Sequence, residues 1–516
     1  EEIKLGSHTE SDKKEIDRFF ELNVFDTNYI YKEGIDPKPI KSRFVRIYKK
    51  LENNTRKAKS RWVAKGFMDS RLKEYIDTYS ATGDKNLFII ILQYALSKNF
   101  NFKKCDVKTA FLLTPVEVNE NIFIEIPDDI FINNKEYFNN NKFLKLLKYM
   151  YGLADSPKKF YLYLKKILKE LGWIELVDCI HIMYNKYKEI IGIIYIHVDD
   201  MFIACHPDIE KKIEEDIMNK IEIDEFYNLK DGDIHEYAGL CIQYNKNKNN
   251  IYISQDNYRK NIEYIYDNKN KNFNYNITEK DLLGPYEYNE EDEIDDSLIH
   301  EAQRLVGILV WLVTTQPPLY YLFSHMSQYT TKPTPRFIYN LKKCIIYIKE
   351  KSQHIILSPI NIPSLESMAD SAYKRLDKHT RCGYTFRLRE ETDLINNKID
   401  KNIYNNIFSW KSRKLNRLVD SSAAAELYAM KMAVKMSYKY INFIKNLWNI
   451  STLVYVHYTD NLPLIKILEK ENFPEEPALT GEVRYIIQCL QETEAKVRWI
   501  DTNRMLADSL TKFKKM

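Results

Sequence analysis

The chain lacks several features that would assign it to a familiar class. No apolar run reaches about 18 residues, so no transmembrane helix is expected, and the N-terminal segment does not have the pattern of a signal peptide. None of the seven cysteines forms a C-x-x-C pair, so a zinc site is not indicated and free thiols in a reducing compartment are the simplest interpretation. These cysteines are Cys105, Cys179, Cys205, Cys241, Cys344, Cys382 and Cys489.

An excess of charge of one sign is also lacking. Lys and Arg total 77 against 73 for Asp and Glu, which leaves a net charge of +4. This excludes the strongly positive field of a histone-like binder, and it fits a large protein whose basic groove is offset by acidic surface elsewhere. With 516 residues and 44% hydrophobic residues, the chain should form several packed domains.

Hydrophobic periodicity gives a coarse order of elements. A hairpin is predicted over 187–205, a second over 237–254, and a solvated linker over 267–297. From about 363 the pattern changes to strands, a helix and a further strand, which is typical of a separate α/β domain. Further helices are predicted around Ile16 and Phe19, and over 87–96, 208–222, 256–266, 298–314, 335–350 and 421–447.

Two adjacent carboxylates, Asp199 and Asp200, follow the apolar run Ile190–Val198. Pairs of aspartates are common on surfaces, but acids at the tip of a buried hairpin repel each other unless a cation lies between them. Asp106 also ends an apolar strand and could lie beside them. Three carboxylates suit hard Mg²⁺, and two such ions about 4 Å apart support phosphoryl transfer.

Four further acids have settings that suit a second metal site. Asp370 follows a predicted strand, Glu426 lies on a helix, Asp460 ends a strand, and Asp508 is expected to open a helix. Singly, Asp460 and Asp508 could be helix caps and Glu426 a solvated helix residue.

Short motifs in one consistent order resemble the reverse transcriptase–ribonuclease H region of copia-type (Pseudoviridae) LTR retrotransposon polyproteins. The matching segments are KSRWVAKGF (59–67), DVKTAFL (106–112), YGLADSPKKFY (151–161), VDC (177–179), YIHVDD (195–200), YAGLCIQ (237–243), ISQDNY (253–258), RLVGILVWLVTTQP (304–317), SWKSRK (409–414) and LADSLTK (506–512).

The resemblance implies an α+β multidomain fold: a right-hand polymerase with fingers, palm and thumb, a connection, and an α/β ribonuclease H-like domain. The implied divisions are an N-terminal extension (1–36), fingers and palm (37–205), the end of the palm with the primer-grip hairpin, thumb and linker (206–297), connection helices (298–362) and the ribonuclease H-like domain (363–516).

The resemblance also implies roles for individual residues. Asp106, Asp199 and Asp200 would be palm metal ligands, and the catalytic acids of the second site would be Asp370, Glu426, Asp460 and Asp508. Nucleotide contacts would come from the basic strand and from a residue beneath the sugar, namely Lys59, Arg61, Lys65 and Phe111. Gly239 would lie in the hairpin that holds the primer. An ordinary basic strand face, a core aromatic and a bulge glycine are the alternatives.

Two departures from the family pattern stand out. Ala154-Asp155 replace the usual Lys-Gln, so Asp155 would bring a carboxylate close to the nucleotide. Thr480–Ile486 occupies the segment in which the family tends to have two histidines, which predicts slower hydrolysis.

The implied function is RNA-directed and DNA-directed DNA synthesis with ribonuclease H activity on RNA–DNA hybrids, in retrotransposon replication. The alternative is a domesticated or non-catalytic hybrid-binding protein of the same fold. The implied cofactor is Mg²⁺, two ions per site, with Mn²⁺ as a substitute. The implied partners are an RNA template, a DNA or tRNA primer, RNA–DNA hybrids and dNTPs, with no membrane, for a monomer or homodimer. The expected location is a cytoplasmic virus-like particle, or the nucleus, and the chain is expected to be one portion of a longer polyprotein.

Overall fold

The computed structural model describes residues 8–50, 56–74, 76–262, 295–351, 354–373, 380–398, 404–419, 421–470 and 477–513. These residues form a mixed α/β structure, as expected, which divides into two compact units. The first unit comprises Glu1–Gly83, Lys104–Ile203 and Asp208–Tyr227, and the second Asp84–Lys103, Ala204–Pro207 and Asn228–Met516. The five divisions predicted from the sequence stay predictions, and most of the predicted linker lies outside the described residues.

The described helices are α1 (Thr9–Glu21), α2 (Lys85–Ser97), α3 (Asp128–Asn133), α4 (Ser156–Glu170), α5 (Glu210–Met218), α6 (Asp256–Asn261), α7 (Asp296–Leu312), α8 (Tyr320–Met326), α9 (Pro335–Glu350), α10 (Glu391–Ile395), α11 (Ser422–Trp448), α12 (Leu462–Lys470) and α13 (Pro477–Glu492). No described helix has the length and apolar character needed to cross a membrane.

The described strands are β1 (Phe25–Asp26), β2 (Ile40–Lys50), β3 (Arg56–Ala64), β4 (Asn101–Asp106), β5 (Phe123–Glu125), β6 (Phe143–Leu146), β7 (Ile174–Val177), β8 (Ile180–Tyr184), β9 (Ile190–His197), β10 (Asp200–Cys205), β11 (Tyr227–Asn228), β12 (Ile234–Tyr237), β13 (Leu240–Asn245), β14 (Asn250–Ser254), β15 (Ile355–Leu357), β16 (Pro363–Ala372), β17 (Arg381–Glu390), β18 (Ile407–Lys414), β19 (Tyr455–Thr459) and β20 (Lys496–Trp499).

A five-stranded sheet in the first unit carries the basic strand, in the order β1-β6-β5-β2-β3. Strands β2 and β3 pair antiparallel, with Ile47 opposite Lys59. Helix α1 buries Ile16 and Phe19 at the spacing of one helical face. Both residues belong to the same core as Trp62, whose indole N–H donates to Ser42 Oγ at 2.8 Å. The predicted helix and basic strand are therefore confirmed.

A six-stranded sheet, in the order β11-β4-β10-β9-β8-β7, carries the predicted hairpin. Its central strands β9 and β10 are almost continuously apolar and buried, as expected for strands with neighbours on both sides. The order places the end of β4 beside the start of β10, and the Val107 N–H donates to the Asp199 carbonyl at 3.1 Å. The hairpin predicted over 187–205 is confirmed.

In the second unit, a four-stranded antiparallel sheet, β12-β13-β14-β15, precedes and follows the helices α6 to α9 in the chain. The strand predicted over 237–244 is wrong in one respect. It is interrupted at Ala238 and Gly239, whose φ angles of 47° and 74° make them the turn between β12 and β13. Two consecutive positive φ values are typical of a type I′ hairpin turn. Helix α6 ends at Asn261, and the rest of the helix predicted over 256–266 lies largely outside the described residues.

Helices α7 and α9 also belong to the second unit, and both begin at side-chain caps. Asp295 accepts a hydrogen bond from the Ser297 N–H, and Thr334 accepts one from the Phe337 N–H. Together with α8 they bury an apolar core that includes Leu305, Leu322 and Leu341.

The last sheet has the order β18-β17-β16-β19-β20. Strands β18, β17 and β16 pair antiparallel, whereas β16, β19 and β20 pair parallel. Parallel pairing brings the carboxyl ends of β16 and β19 to the same edge. Helix α11, which begins after the capping residue Ser421, packs against β16 and β17. This edge is where the sequence places Asp370 and Asp460.

Candidate active sites

The first acidic site lies at the tip of the β9–β10 hairpin. Asp106 ends β4, Asp199 lies in the turn, and Asp200 begins β10. Burial, followed by the charges of Asp199 and Asp200, raises the pKa of Asp106 to about 6. Burial and the charge of Asp199 also raise the pKa of Asp200. The structure thus brings the three predicted acids into one electrostatic neighbourhood.

The turn that carries Asp199 has an unusual backbone. Val198 has a φ of 62°, in the left-handed region that β-branched residues disfavour. Such a conformation costs about 1–3 kcal/mol and persists when the surrounding structure imposes it. The two buried strands on either side of this two-residue turn supply that constraint.

A basic and aromatic face lies beside these acids. Burial and the charges of Arg61 and Lys49 lower the pKa of Lys59, while the charge of Asp106 acts in the opposite direction. The Arg61 guanidinium lies 5.5 Å from the centroid of the Tyr151 ring. The Tyr151 ring lies 5.5 Å from that of Phe111, centroid to centroid. The predicted residues Lys59, Arg61 and Phe111 are therefore brought together.

Tyr151 was not predicted from the sequence. Burial raises its pKa, and the charges of Asp199 and Asp106 contribute in the same direction. The signal was available, because Tyr151 opens the segment YGLADSPKKFY. Lys65 lies directly after β3, where its N–H donates to the Lys41 carbonyl at 2.7 Å.

Asp155, expected to bring a carboxylate close to the nucleotide, is enclosed by protein, and that expectation stays a prediction. Its side chain is 1% exposed and forms an ion pair with Arg71. Both carboxylate oxygens accept hydrogen bonds from that guanidinium. A direct nucleotide contact would require this pair to open.

Two features of the backbone at position 239 favour glycine without any bound ligand. Its φ is 74°, and a Cβ at this position would lie 3.0 Å from Cζ3 of the Trp311 ring. A primer contact at Gly239 therefore stays a prediction.

The second acidic site is more compact. Ligand oxygens of Asp370, Glu426 and Asp460 lie within 4.8 Å of one another, and no other such group of three or more His, Cys, Asp or Glu exists among the described residues. Asp370 lies near the end of β16, Asp460 directly follows β19, and Glu426 lies in the first turns of α11. Parallel pairing and the packing of α11 account for this convergence.

Hydroxyl groups hold each of these carboxylates. The Ser371 N–H and Oγ donate to Glu426 Oε1 at 3.1 and 2.7 Å. The Thr511 hydroxyl donates to Asp370, and Thr502 Oγ1 donates to Asp460 Oδ2 at 2.8 Å. Sequence reasoning missed all three hydroxyls, although Thr511 lies within the quoted segment LADSLTK.

Asp508 lies beside this triad rather than within it. It was expected to open a helix, but it occupies the middle of the short 3-10 helix Leu506–Leu510. Its side chain forms an ion pair with Lys512, and its charge contributes to the raised pKa of Asp370.

Gly383 allows the segment with Asp508 to come close. It pairs with Asp370 across β17 and β16, and a Cβ there would lie 2.5 Å from the Leu510 Cβ. A side chain at 383 would therefore push Leu506–Leu510 away from the acids. The sequence did not indicate this close approach at Gly383.

The electrostatics of the triad indicate negative charge that the protein does not fully compensate. Burial, with the charges of Asp508 and Asp460, raises the pKa of Asp370 to about 6, although the Thr511 hydroxyl lowers it. Burial and the charge of Asp370 raise the pKa of Glu426 to about 8. A buried set of oxygen ligands with excess negative charge fits a hard divalent cation.

The chain is similar to several known proteins. Residues 25–278 match the family model described as "Reverse transcriptase (RNA-dependent DNA polymerase)". The Pol polyprotein from transposon RE1 of Arabidopsis thaliana is 22% identical over 460 residues, 88% of this chain and 29% of its own length. The Ty1-DR1 Gag-Pol polyprotein of Saccharomyces cerevisiae is 23% identical over 531 residues, 98% of this chain and 28% of its own length. The chain thus spans less than a third of these relatives.

Solved structures with similarity to the chain include two kinds of protein. A prototype foamy virus protease–reverse transcriptase aligns with 98% of this chain and 54% of its own, at 11% identity and a TM-score of 0.28. Ribonuclease H1 from Halobacterium salinarum aligns with 28% of this chain and 93% of its own, at 13% identity and a TM-score of 0.22. The sequence matches thus identify residues 25–278 as a reverse transcriptase region of the copia type, and most of the chain is similar to Pol polyproteins of transposons.

Proposed function

We propose that the chain is an RNA-directed and DNA-directed DNA polymerase that also cleaves the RNA strand of RNA–DNA hybrids. The observation that carries the proposal is the presence of two separate acidic sites at the edges of two different sheets. Asp106, Asp199 and Asp200 form one, and the compact triad with Asp508 beside it forms the other. Residues 37–205 then correspond to fingers and palm, 206–297 to the end of the palm, the primer grip, the thumb and the linker, 298–362 to the connection, and 363–516 to the ribonuclease H-like domain.

The residues of the first site suit the binding of a triphosphate beside acids. Lys59 and Arg61 supply positive charge next to Asp106, and Tyr151 and Phe111 supply an apolar surface on which a sugar can pack. These groups would orient the nucleotide. Asp106, Asp199 and Asp200 would hold magnesium close to the phosphates of that nucleotide.

The residues of the second site suit hydrolysis of a phosphodiester. Ser371, Thr511 and Thr502 fix the directions of the carboxylates, so that little reorganisation is needed when substrate binds. Magnesium bound at either site would activate the attacking oxygen and stabilise the leaving oxygen. Asp370, Glu426 and Asp460, with Asp508, would hold it at the second site.

The sequence relatives are polyproteins of transposons, so the proposed setting is retrotransposon replication in a cytoplasmic virus-like particle. The proposal predicts that the purified chain extends a DNA primer on RNA and on DNA templates in Mg²⁺, and cleaves the RNA of a hybrid. If the protein binds hybrid tightly but neither extends nor cleaves, the proposal is wrong and a non-catalytic hybrid-binding protein is the better description.

A further inference from the structure

Asp155 is the residue directly before α4, and its carboxylate is enclosed by protein. Its two oxygens accept hydrogen bonds from Arg71 Nη1 and Nη2, each at 3.1 Å. This bidentate geometry fixes the plane of the guanidinium as well as its distance. Asp155 is 1% exposed and Arg71 14% exposed, so the pair is only weakly screened by solvent.

The pair belongs to a larger cluster that joins three segments of the first unit. Arg71 also contacts Asp69 at 2.7 Å and Glu120 at 2.8 Å. Glu120 in turn accepts hydrogen bonds from the Tyr149 hydroxyl at 2.7 Å and from Lys159 Nζ at 2.9 Å. Burial lowers the pKa of Arg71, but Asp69 and Asp155 outweigh it and raise the pKa. The cluster therefore keeps Arg71 charged and in place.

The segment that Arg71 anchors is the turn that follows the basic strand β3. At its start, the Ala64 N–H donates to the Tyr151 carbonyl at 2.8 Å. A Cβ at Gly66 would lie 2.1 Å from the Gly152 carbonyl oxygen, so the two backbones are in direct contact. Backbone contacts at Ala64 and Gly66, on either side of Lys65, hold the start of the turn, and the Arg71–Asp155 pair holds its other end.

We propose that Asp155 is a positioning residue: with Arg71 it fixes the turn after β3, and so holds Lys65 and the Arg61–Tyr151 face where a triphosphate would bind. This inference rests on the proposed polymerase function. It assigns no contact between Asp155 and the nucleotide.

Substitution of Asp155 by Gln distinguishes a positioning role from a direct nucleotide contact, because the two roles predict opposite changes in the KM for dNTP. If the carboxylate faced a triphosphate, Asp155→Gln would remove a like charge, and the KM for dNTP would fall. If Asp155 positions the turn, the loss of its charge leaves Arg71 without its bidentate partner. The KM should then rise about tenfold, with kcat changed much less. A KM that falls or stays the same overturns the inference.

Asp77→Asn is the matched control. Asp77 forms an ion pair with Lys158, which lies on α4 shortly after Asp155, but the Asp77 side chain is 67% exposed. Exposed pairs contribute little, so this variant should keep the parent KM. An equal rise in KM for Asp77→Asn would show a general effect of charge near α4 and would overturn the inference.

A double-mutant cycle tests the pair without reference to catalysis. Arg71→Gln also loses the contacts with Asp69 and Glu120, so it should lower the urea midpoint more than Asp155→Gln. The shift of the double variant should nevertheless be clearly smaller than the sum of the two single shifts, because each single change already breaks the Arg71–Asp155 pair. Additive shifts would show that the two residues act independently and would overturn this inference alone. An inactive parent protein would overturn the proposed function, and with it the kinetic role of Asp155, while the cycle would still report on the pair.

Discussion

Both acidic sites are built from carboxylates, but the protein holds these carboxylates differently. Asp370 and Glu426 are 5% and 9% exposed, and hydroxyl groups direct their oxygens. Asp106, at the end of β4, and Asp199 and Asp200, at the tip of the β9–β10 hairpin, are only partly buried. Within the described residues the first three acids do not meet the 4.8 Å spacing that the triad meets. Protein packing therefore holds the acids of the second site more closely than those of the first.

Loss of Gly383 should have the largest effect, because the second site depends on packing. Gly383→Ala would place a Cβ 2.5 Å from the Leu510 Cβ and displace the segment with Asp508. Hybrid cleavage should fall about 100-fold, the usual consequence of a displacement of about 1 Å, while primer extension is kept. The control is Gly481→Ala on α13, where a Cβ would meet nothing within 4 Å. Unchanged cleavage by Gly383→Ala would show that the second site does not depend on the packing of the segment with Asp508.

Lys512 should compete with the cofactor at the second site. Its ammonium group pairs with Asp508, and the charges of Asp370 and Asp460 also raise its pKa. Because its side chain is 51% exposed, Lys512→Met should tighten Mn²⁺ binding only about threefold, as measured by calorimetry. Lys496→Met, at the opposite end of β20 from the acids, should leave the affinity unchanged. Weaker binding in Lys512→Met would mean that Lys512 supports the cofactor.

The stability of the metal-free protein should depend on pH through Glu426. Burial and the charge of Asp370 raise its pKa from the ordinary value of about 4.5 to about 8, so the folded state holds a proton that the unfolded state loses. Stability from this group is complete below about pH 4.5 and is lost as the pH rises through about 8. In EDTA, Glu426→Gln should therefore gain stability over the parent by more than about 1 kcal/mol between pH 5 and pH 8.

Urea unfolding at the two pH values measures this difference. Glu469→Gln, at an exposed position on α12, should show no such trend. A parent protein that gains stability relative to Glu426→Gln as the pH rises would contradict the account of the triad.

The smallest effect is expected at the hairpin turn of the first site. Val198→Gly removes the cost of a positive φ but adds the backbone entropy of glycine, so the free energy of unfolding should rise by about 1 kcal/mol or stay level. Val177→Gly, on an exposed part of β7, has no such strain to relieve and should lower it by about 0.5–1 kcal/mol. Equal destabilisation of both variants would show that the turn is not strained.

Local patterns in the sequence predicted some of this architecture well. The apolar run before Asp199 identified the hairpin. Its turn has only two residues, so Asp199 and Asp200 must lie at its tip. The convergence of Asp370, Glu426 and Asp460 was predicted from their settings on strand, helix and strand together with the resemblance to copia-type polyproteins, because each acid taken singly could be a cap or a solvated residue. Non-local contacts were beyond reach: nothing in the residues around Asp155 or Gly383 indicates that Arg71 or Leu510 lies against them.

The most direct test separates the two activities in two variants, each of which should lose only one of them. Asp199→Ala should lose primer extension and keep hybrid cleavage, and Asp460→Ala should lose cleavage and keep extension. Both variants are assayed on the same substrates in Mg²⁺, beside the parent protein. That double separation is the predicted result. Loss of both activities in either variant, or cleavage that survives Asp460→Ala, would contradict the claim that the chain contains two independent acidic active sites.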